Sequence, residues 1–491
     1  MKRKIVPLLL AGVLTLGAVP ARAVSLPMFK QEATVTISRE EYESLQKYQK
    51  LETLFQLVEN YYYEDVDEDA MLENAAVGLM AGIGDVYSVY YTKEEMAKFN
   101  EETEGKYAGI GCQLLADPES KLITVTRVFK GSPAETAGIR AGDKIVYVND
   151  VYYTAYEMDE AVSVMRGTPG ESVKVTVLRD LETIDFDVMR EDININYVEY
   201  EILDGNIGYV MVFDFLGDAY EGFAEAINAF QEANVSGMII DLRNNGGGHV
   251  ISSNMLSSCI GGAACRDKVF QFYRYNEECM ASWEQTAELF GQKYDPAAER
   301  FYEKFYDGDY YGVDLTDRTL GLGRLFVLAT GSTASASEAL VNGLRGIGFE
   351  VTLIGERTNG KNVGMNVFEW RDLEGYDYEF APITFQGYNA EMRTVDPAGI
   401  EPDFAVSETE SGWFEDFGPG EPLLRKALEL IGAAVPAPAP TRSAAVVGAV
   451  PRGPVRNASV HPSGMIGPRG IVPEETGTEN GEKAGCDKKQ H

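Results

Sequence analysis

The stretch Arg324-Leu-Phe-Val-Leu-Ala-Thr330, running into Gly331-Ser-Thr-Ala-Ser-Ala-Ser-Glu338, decides the reading of this chain. An apolar strand-like run meets a turn of small residues, then a helix-like segment, then a second strand-like run, Val351–Gly355, that leads to Gly360-Lys361. Small side chains at Ala334, Ser335, Ala336 and Ser337 let a substrate backbone approach a strand-to-helix turn, where the first helical N–H groups lack internal acceptors and can face an oxyanion. Ser335 is the candidate nucleophile. The same residues fit an ordinary helix start, since Ser335-Ala-Ser-Glu338 has the spacing of a capping box.

A serine nucleophile needs a base. The three histidines are His249, His461 and His491, and the last two lie in a Pro/Ala/Gly-rich tail, so a Ser-His-Asp arrangement would rest on His249 alone. Lys361 is the other candidate, because a neutral amine can take the serine proton. A lysine begins near pKa ~10.4, so half-neutrality near pH ~7.4 requires a downward shift of roughly three units, about 4 kcal/mol, which burial can supply. Gly355-Glu-Arg-Thr-Asn-Gly360-Lys361 also has the spacing of a phosphate-binding loop, but Asn362 stands where a Ser or Thr would hold magnesium. Nucleotide binding is set aside on that ground.

Upstream, an αβ pattern runs through strand Ile207–Phe213, helix Glu221–Gln231 and strand Gly237–Leu242 into Arg243-Asn-Asn-Gly-Gly-Gly248, a glycine run that frees N–H groups to turn toward one point. Residues 265–323 are unusually aromatic and read as a lid or an extra helical hairpin. Earlier still, Leu122–Phe129, Lys144–Val148, Val173–Leu178 and Ile184–Val188 are short β-rich runs with one helical stretch, Tyr156–Met165. With Gly109-Ile-Gly111 ahead of the first strands, that order resembles a PDZ domain. The resemblance implies that Gly109, Ile110 and Gly111 hold a peptide's terminal carboxylate on backbone N–H groups.

The amino terminus has a basic Lys2-Arg-Lys4, an apolar Ile5–Val19 and a small-residue site at Ala21-Arg-Ala23, which is the pattern of an export signal. The expected location is outside the cytoplasm: secreted, periplasmic or associated with the cell envelope. An uncleaved signal segment would attach the chain to a membrane. From Ser38, apolar residues at Tyr42, Leu45, Tyr48, Leu51, Phe55 and Val58 predict one helix of about 20 residues behind a Ser38/Glu41 capping box. Asp67 or Asp69 then caps a second helix that ends at Gly82-Ile-Gly84, and the segment reads as a helical arm rather than a catalytic part. Its helices are also the expected contact for any homo-oligomer. A formal charge of −34 over 491 residues argues against nucleic acid and anionic lipid as partners. The five cysteines show no metal-ligand spacing, and Cys259 with Cys265 is either a bridge or two structural thiols.

Taken together, the signal segment, helical arm, PDZ-like region, Asp241-Leu-Arg-Asn-Asn-Gly-Gly-Gly248, Thr333-Ala-Ser-Ala-Ser-Glu338, Gly360-Lys361 and Gly399-Ile-Glu-Pro-Asp403 resemble the carboxy-terminal processing proteases, a group of Ser-Lys peptidases. The resemblance implies a mixed α/β multidomain chain with a ClpP/crotonase-like catalytic core. The expected divisions are a signal peptide over 1–23, a helical region over 24–103, a PDZ-like domain over 104–191, a peptidase domain over 192–432 and a disordered tail over 433–491. It further implies Ser335 as nucleophile, Lys361 as base, and an oxyanion hole of the Ala336 N–H with that of Gly246 or Gly247. No metal or cofactor is required, and the expected substrates are proteins or peptides with a free C-terminus. Arg166, after the PDZ-like helix, would relay occupancy to the catalytic domain. One position departs from the family: the orienting glutamine expected four residues after the lysine is Met365, which leaves Asn362, Asn366 or a backbone carbonyl to hold the amine. The alternative function is a catalytically weak peptide-binding scaffold, which that departure would explain.

Overall fold

The structure is a computed structural model and describes residues 36–92, 95–96, 106–117, 120–194, 196–216, 219–306, 309–310, 313–314, 318–371, 377–407 and 421–433. The signal segment 1–23, and all but the first residue of the tail, lie outside the described residues. Among the described residues no helix is long and apolar enough to cross a membrane. The chain divides into two compact units, Met1–Met71 and Leu72–His491.

In the first unit the capping box forms: Ser38 Oγ accepts from the Glu41 N–H at 3.1 Å, and Glu41 Oε2 accepts from the Ser38 N–H at 2.6 Å. The single predicted helix is instead two, Arg39–Gln46 and Gln49–Tyr61. At the break the Tyr48 N–H donates to Leu45 O, a tighter turn than an α-helix allows, and no Gly or Pro marks it in the sequence. A further helix, Glu68–Ala81, starts with the Ala70 N–H on Asp67 Oδ1 and stops at Gly84, whose φ is +87°.

The second unit takes in most of that helix and then a short strand, Val89–Tyr91, which pairs with Asp377–Ala381 and through it with Phe368–Arg371. The region following the helices therefore joins the C-terminal half of the chain, which the reading as a mere arm did not foresee. Next comes an antiparallel sheet in the order Cys112–Asp117, Leu122–Val128, Lys144–Val148, Ser172–Arg179, Glu182–Met189. Alternating Val173, Val175 and Val177 are fully buried against Met158, Ala161 and Met165 of the helix Met158–Met165, as a half-buried sheet covered by one helix requires.

The C-terminal half is built on a six-stranded sheet in the order Val198–Leu203, Ile207–Val212, Gly237–Asp241, Arg324–Ala329, Glu350–Gly355, Phe404–Ala405. Only the first pair is antiparallel. A parallel sheet is covered on both faces, which is why its strands read as continuous apolar runs. Val210, Ile240, Val327 and Leu353 pack on one face with Phe223, Ile227, Leu256, Leu340 and Leu344 from the helices Ala219–Ala233, Val250–Gly261 and Ala336–Gly346. Tyr209, Met211, Ile239, Phe326 and Leu328 pack on the other with Leu423, Leu424 and Leu428 of the helix Pro422–Ile431.

The aromatic segment is neither lid nor helical hairpin alone. Its strands Val269–Arg274, Lys293–Asp295 and Arg300–Lys304 join Ile383–Tyr388 and Val363–Met365 in a second sheet, with two short helices, Glu277–Ala281 and Trp283–Phe290, packed beside it. Tyr273, Tyr275, Phe301 and Phe385 form its core. Cys259 and Cys265 are buried as free thiols, and burial pushes both up to about 12.

Candidate active site

Three adjacent parallel strands, Gly237–Asp241, Arg324–Ala329 and Glu350–Gly355, end at the same edge of the sheet. The glycine run, the Ser335 turn and the Lys361 loop each follow one of them, so the crevice at the carboxyl ends of the strands collects all three.

Hydrogen bonds stitch the first two loops together. Thr333 Oγ1 donates to Leu242 O at 2.7 Å, and the Ala334 N–H donates to Asn245 O at 3.0 Å. Ser335 is half-buried and sits at φ 56°, ψ −114°, a left-handed backbone that only a tightly held turn imposes on a residue with a side chain. Strand-to-helix turns of this kind push a hydroxyl out over the sheet edge. Gly247, at φ +118°, lies directly beneath it: a β-carbon there would stand 2.7 Å from Ser335 Cβ and 3.0 Å from the Ala336 nitrogen. Close approach, not only turn geometry, requires that glycine. The Gly247 N–H donates to Asn245 Oδ1 at 2.8 Å and is occupied, while Asn245 Nδ2 is anchored on Val212 O. Ala336 opens its helix, where first-turn N–H groups have no helical acceptor, and its carbonyl is fixed by Ser253 Oγ at 2.7 Å.

Glu338 joins the serine turn to the lysine loop. It is fully buried and accepts four hydrogen bonds: from the Ser335 N–H at 3.0 Å and the Lys361 N–H at 2.9 Å on one oxygen, and from Thr358 Oγ1 at 2.5 Å and the Gly360 N–H at 2.7 Å on the other. Burial pushes its pKa up while those donors pull it back. The lysine loop is held from its other side by the Gly399 motif. Thr358 Oγ1 accepts from the Ile400 N–H at 2.7 Å, and a β-carbon on Gly399 would collide with Thr358 O at 2.0 Å.

Lys361 is 5% exposed, and burial lowers its pKa to about 8 against the opposing charges of Glu338 and Asp85. Its Nζ lies 4.8 Å from the centre of the Tyr87 ring. The other sequence candidates are placed elsewhere. Asn362 Nδ2 donates to Val395 O at 2.9 Å, Asn366 Oδ1 accepts from Thr384 Oγ1 at 2.6 Å, and Met365 packs against an apolar cluster of Val89, Tyr91 and Ala381. A Met365→Gln variant should therefore lose about 1–3 kcal/mol by burying an amide among apolar groups, with no gain in turnover. Thermal unfolding beside steady-state kinetics checks both halves. His249 is exposed at the start of the helix Val250–Gly261, its N–H on Phe215 O.

In the upstream domain, Gly111 sits at φ +81° and a β-carbon there would press on Ser132 at 2.4 Å. Ile110 is buried, and the Gly109 strand Lys106–Gly109 pairs with Glu191–Asn194. Arg166 stacks on the Tyr107 ring at 4.9 Å, beside this loop. Arg127 reaches the C-terminal half. Half-buried on the strand Leu122–Val128, it pairs with Glu199 at 2.6 Å and stacks on Phe213. Phe213 is two residues from Phe215, whose N–H donates to Gly247 O at 2.8 Å.

The family models divide along the same lines. Residues 206–406 match the model of peptidase family S41, residues 124–179 that of a PDZ domain, and residues 21–95 that of the activating protease CtpB N-terminal domain. The chain carries a peptidase family S41 domain preceded by a PDZ domain. Ser335, Glu338 and Lys361 all fall inside the S41 domain. Its similarity extends to the carboxy-terminal processing protease CtpA of Bacillus subtilis (strain 168), 32% identical over 203 residues, which is 41% of this chain and 43% of that protein. CtpB of the same organism is 28% identical over 261 residues, 51% of this chain and 54% of its own. The chain spans about half the length of these curated relatives. A solved putative S41 protease from Bacteroides fragilis NCTC 9343 aligns with 76% of this chain and 91% of its own at 20% identity and a TM-score of 0.49.

Sequence reasoning treated Glu338 only as a helix cap and missed Asp85, Tyr87, Asn245 and Thr358. Ser335-x-x-Glu338 was the available signal for the first. Nothing local to Asp85 or Tyr87 points to a lysine so far along the chain.

Proposed function

We propose that this chain is an exported serine endopeptidase that acts on protein or peptide substrates by a Ser-Lys acyl-enzyme mechanism. The supporting observation is a buried lysine with its pKa lowered to about 8, whose backbone shares one Glu338 oxygen with the backbone of Ser335. Neutral Lys361 takes the Ser335 proton as Oγ attacks the scissile carbonyl. The resulting ammonium then returns a proton to the leaving amine. The oxyanion forms against the Ala336 N–H and the Gly246 N–H, since Gly247's own amide is engaged by Asn245. Water enters after the amine leaves and hydrolyses the acyl-enzyme along the same proton path.

Substrates are recognised by their C-terminal region on the Gly109-Ile-Gly111 loop, where backbone N–H groups meet the carboxylate and the edge of the strand Cys112–Asp117 pairs with the peptide. Amidating the C-terminus of an otherwise identical peptide substrate should raise KM at least about tenfold, because a charge-assisted contact is lost. Equal KM for the acid and the amide would remove carboxylate capture from the proposal. Coupling of peptide occupancy to catalysis draws on Arg166, beside the loop, and on Arg127, which pairs with Glu199 and stacks on Phe213. The domain divisions of the sequence reading, membrane attachment through the signal segment and self-association through the exposed Tyr42, Leu45, Leu51 and Leu54 stripe belong to the same proposal. The scaffold alternative drew its support from Met365. The peptidase reading is supported against it by the groups that face Lys361 in place of an orienting amide, Glu338, Asp85 and Tyr87.

A further inference from the structure

The loop between Gly84 and the strand Val89–Tyr91 is built around one carboxylate. Asp85 Oδ1 accepts from the Tyr87 N–H at 2.7 Å and the Ser88 N–H at 2.6 Å, and Asp85 Oδ2 accepts from Ser88 Oγ at 2.7 Å. Burial works against the ionised carboxyl, but these donors and the charge of Lys361 hold it below the usual carboxylate range. Ser88 Oγ in turn accepts from the Ile383 N–H at 3.0 Å. Ile383 is the register partner of Met365, four residues past the lysine. The loop is thus clamped to the strand pair that continues from Lys361, and Val89–Tyr91 pairs with Asp377–Ala381 just before Ile383.

That clamp puts the Tyr87 ring 4.8 Å from Lys361 Nζ. Among the described residues, the charged and titratable groups facing the amine include Glu338 from the helix Ala336–Gly346, and Asp85 and Tyr87 from this loop. Asn362 Nδ2 donates to Val395 O and Asn366 Oδ1 accepts from Thr384 Oγ1. Met365 lies in the cluster formed by the same strand Val89–Tyr91.

We propose that the Asp85–Ser88 loop is the positioning element of the lysine base: the Asp85 carboxylate folds the loop through its three hydrogen bonds, and the Tyr87 ring so placed confines the amine by a cation–π contact. The proposal rests on Lys361 acting as the base. Asp85 raises the lysine pKa, and removing its charge lowers it. Tyr87 stabilises the ammonium, and its loss both loosens the amine and favours the neutral form.

The test separates the loop from the base. Competitive acetylation of Lys361 with acetic anhydride, read by peptide mass across pH in Ser335→Ala protein, reports the amine's titration without catalysis. Asp85→Asn keeps an acceptor for the Tyr87 and Ser88 N–H groups. It should move the labelling midpoint down by roughly half a pH unit or more and, in protein with Ser335 intact, move the acid limb of kcat/KM by the same amount. Tyr87→Leu should lower kcat about tenfold with KM little changed, and Tyr87→Phe should recover most of that loss. An unmoved labelling midpoint in Asp85→Asn overturns the proposal, as does a Phe variant no better than Leu. A midpoint that moves while the kcat/KM limb stays fixed leaves the loop's hold on the amine standing and removes Lys361 as the base.

Discussion

Ser335→Ala should reduce peptide cleavage at least about a thousandfold while leaving the unfolding free energy within about 1 kcal/mol of the parent. Alanine keeps a β-carbon at φ 56°, so the backbone strain at that position is unchanged, and the Ser335 N–H bond to Glu338 does not depend on the side chain. Ala334, Ala336 and Ser337 remain tied to the glycine loop and to Ser253. Turnover of an unfolded protein substrate and a urea titration on the same preparation separate the two effects. Surviving turnover would transfer the nucleophile elsewhere, whereas a collapse in stability would reduce Ser335 to a structural cap.

Glu338→Ala should be the most damaging substitution at the site for stability, at roughly 3–5 kcal/mol, with kcat/KM falling at least about a hundredfold. Four donors lose their acceptor in a fully buried place: Ser335 N–H, Thr358 Oγ1, Gly360 N–H and Lys361 N–H. Each unsatisfied donor costs about 1–3 kcal/mol, less whatever water can recover in the vacated space. Glu338→Gln should not rescue. With its carbonyl kept on Thr358 and Gly360, its amide N–H groups would point at the Ser335 and Lys361 N–H groups, donor against donor. The urea midpoint and kcat/KM of both variants decide this. An alanine variant within about 1 kcal/mol of the parent would show that the carboxylate does not hold the two loops together.

The strands of the catalytic sheet were legible because parallel strands are buried on both faces, so Ile207–Val212 and Arg324–Ala329 appear as unbroken apolar runs. The Ser335 turn was legible only in company: its small residues also fit an ordinary capping box, and the glycine run and Lys361 elsewhere in the chain are what set it apart. The aromatic segment was not. Its strand Val269–Arg274 carries a register shift between Val269 and Gln271 in its pairing with Arg300–Lys304, which breaks the alternation that would have announced a sheet. Asn362, Met365 and Asn366 were weighed by their distance in sequence from Lys361, and the β pairing of Val363–Met365 with Ile383–Tyr388 brings Asn366 Oδ1 to Thr384 and Met365 to the Val89, Tyr91 and Ala381 cluster, neither of which that distance encodes. Asp85 and Tyr87 reach the lysine only through Ser88 and the pairing of Val89–Tyr91 with Asp377–Ala381, a contact that no local spacing encodes.

Ser335 as a nucleophile driven by neutral Lys361 is tested most directly by the rate at which a fluorophosphonate modifies the protein across pH, with the adduct located by peptide mass, in the parent and in Lys361→Met. The lysine's pKa is lowered by burial to about 8, so its neutral form is scarce below that value and dominant above it. The predicted result is a single adduct on Ser335, formed at a rate that climbs with pH through about 8 and levels off above it, and that falls at least about a hundredfold at the plateau in Lys361→Met. An adduct on another residue, or Ser335 labelling in Lys361→Met with the same rate and the same pH limb as the parent, would contradict the account.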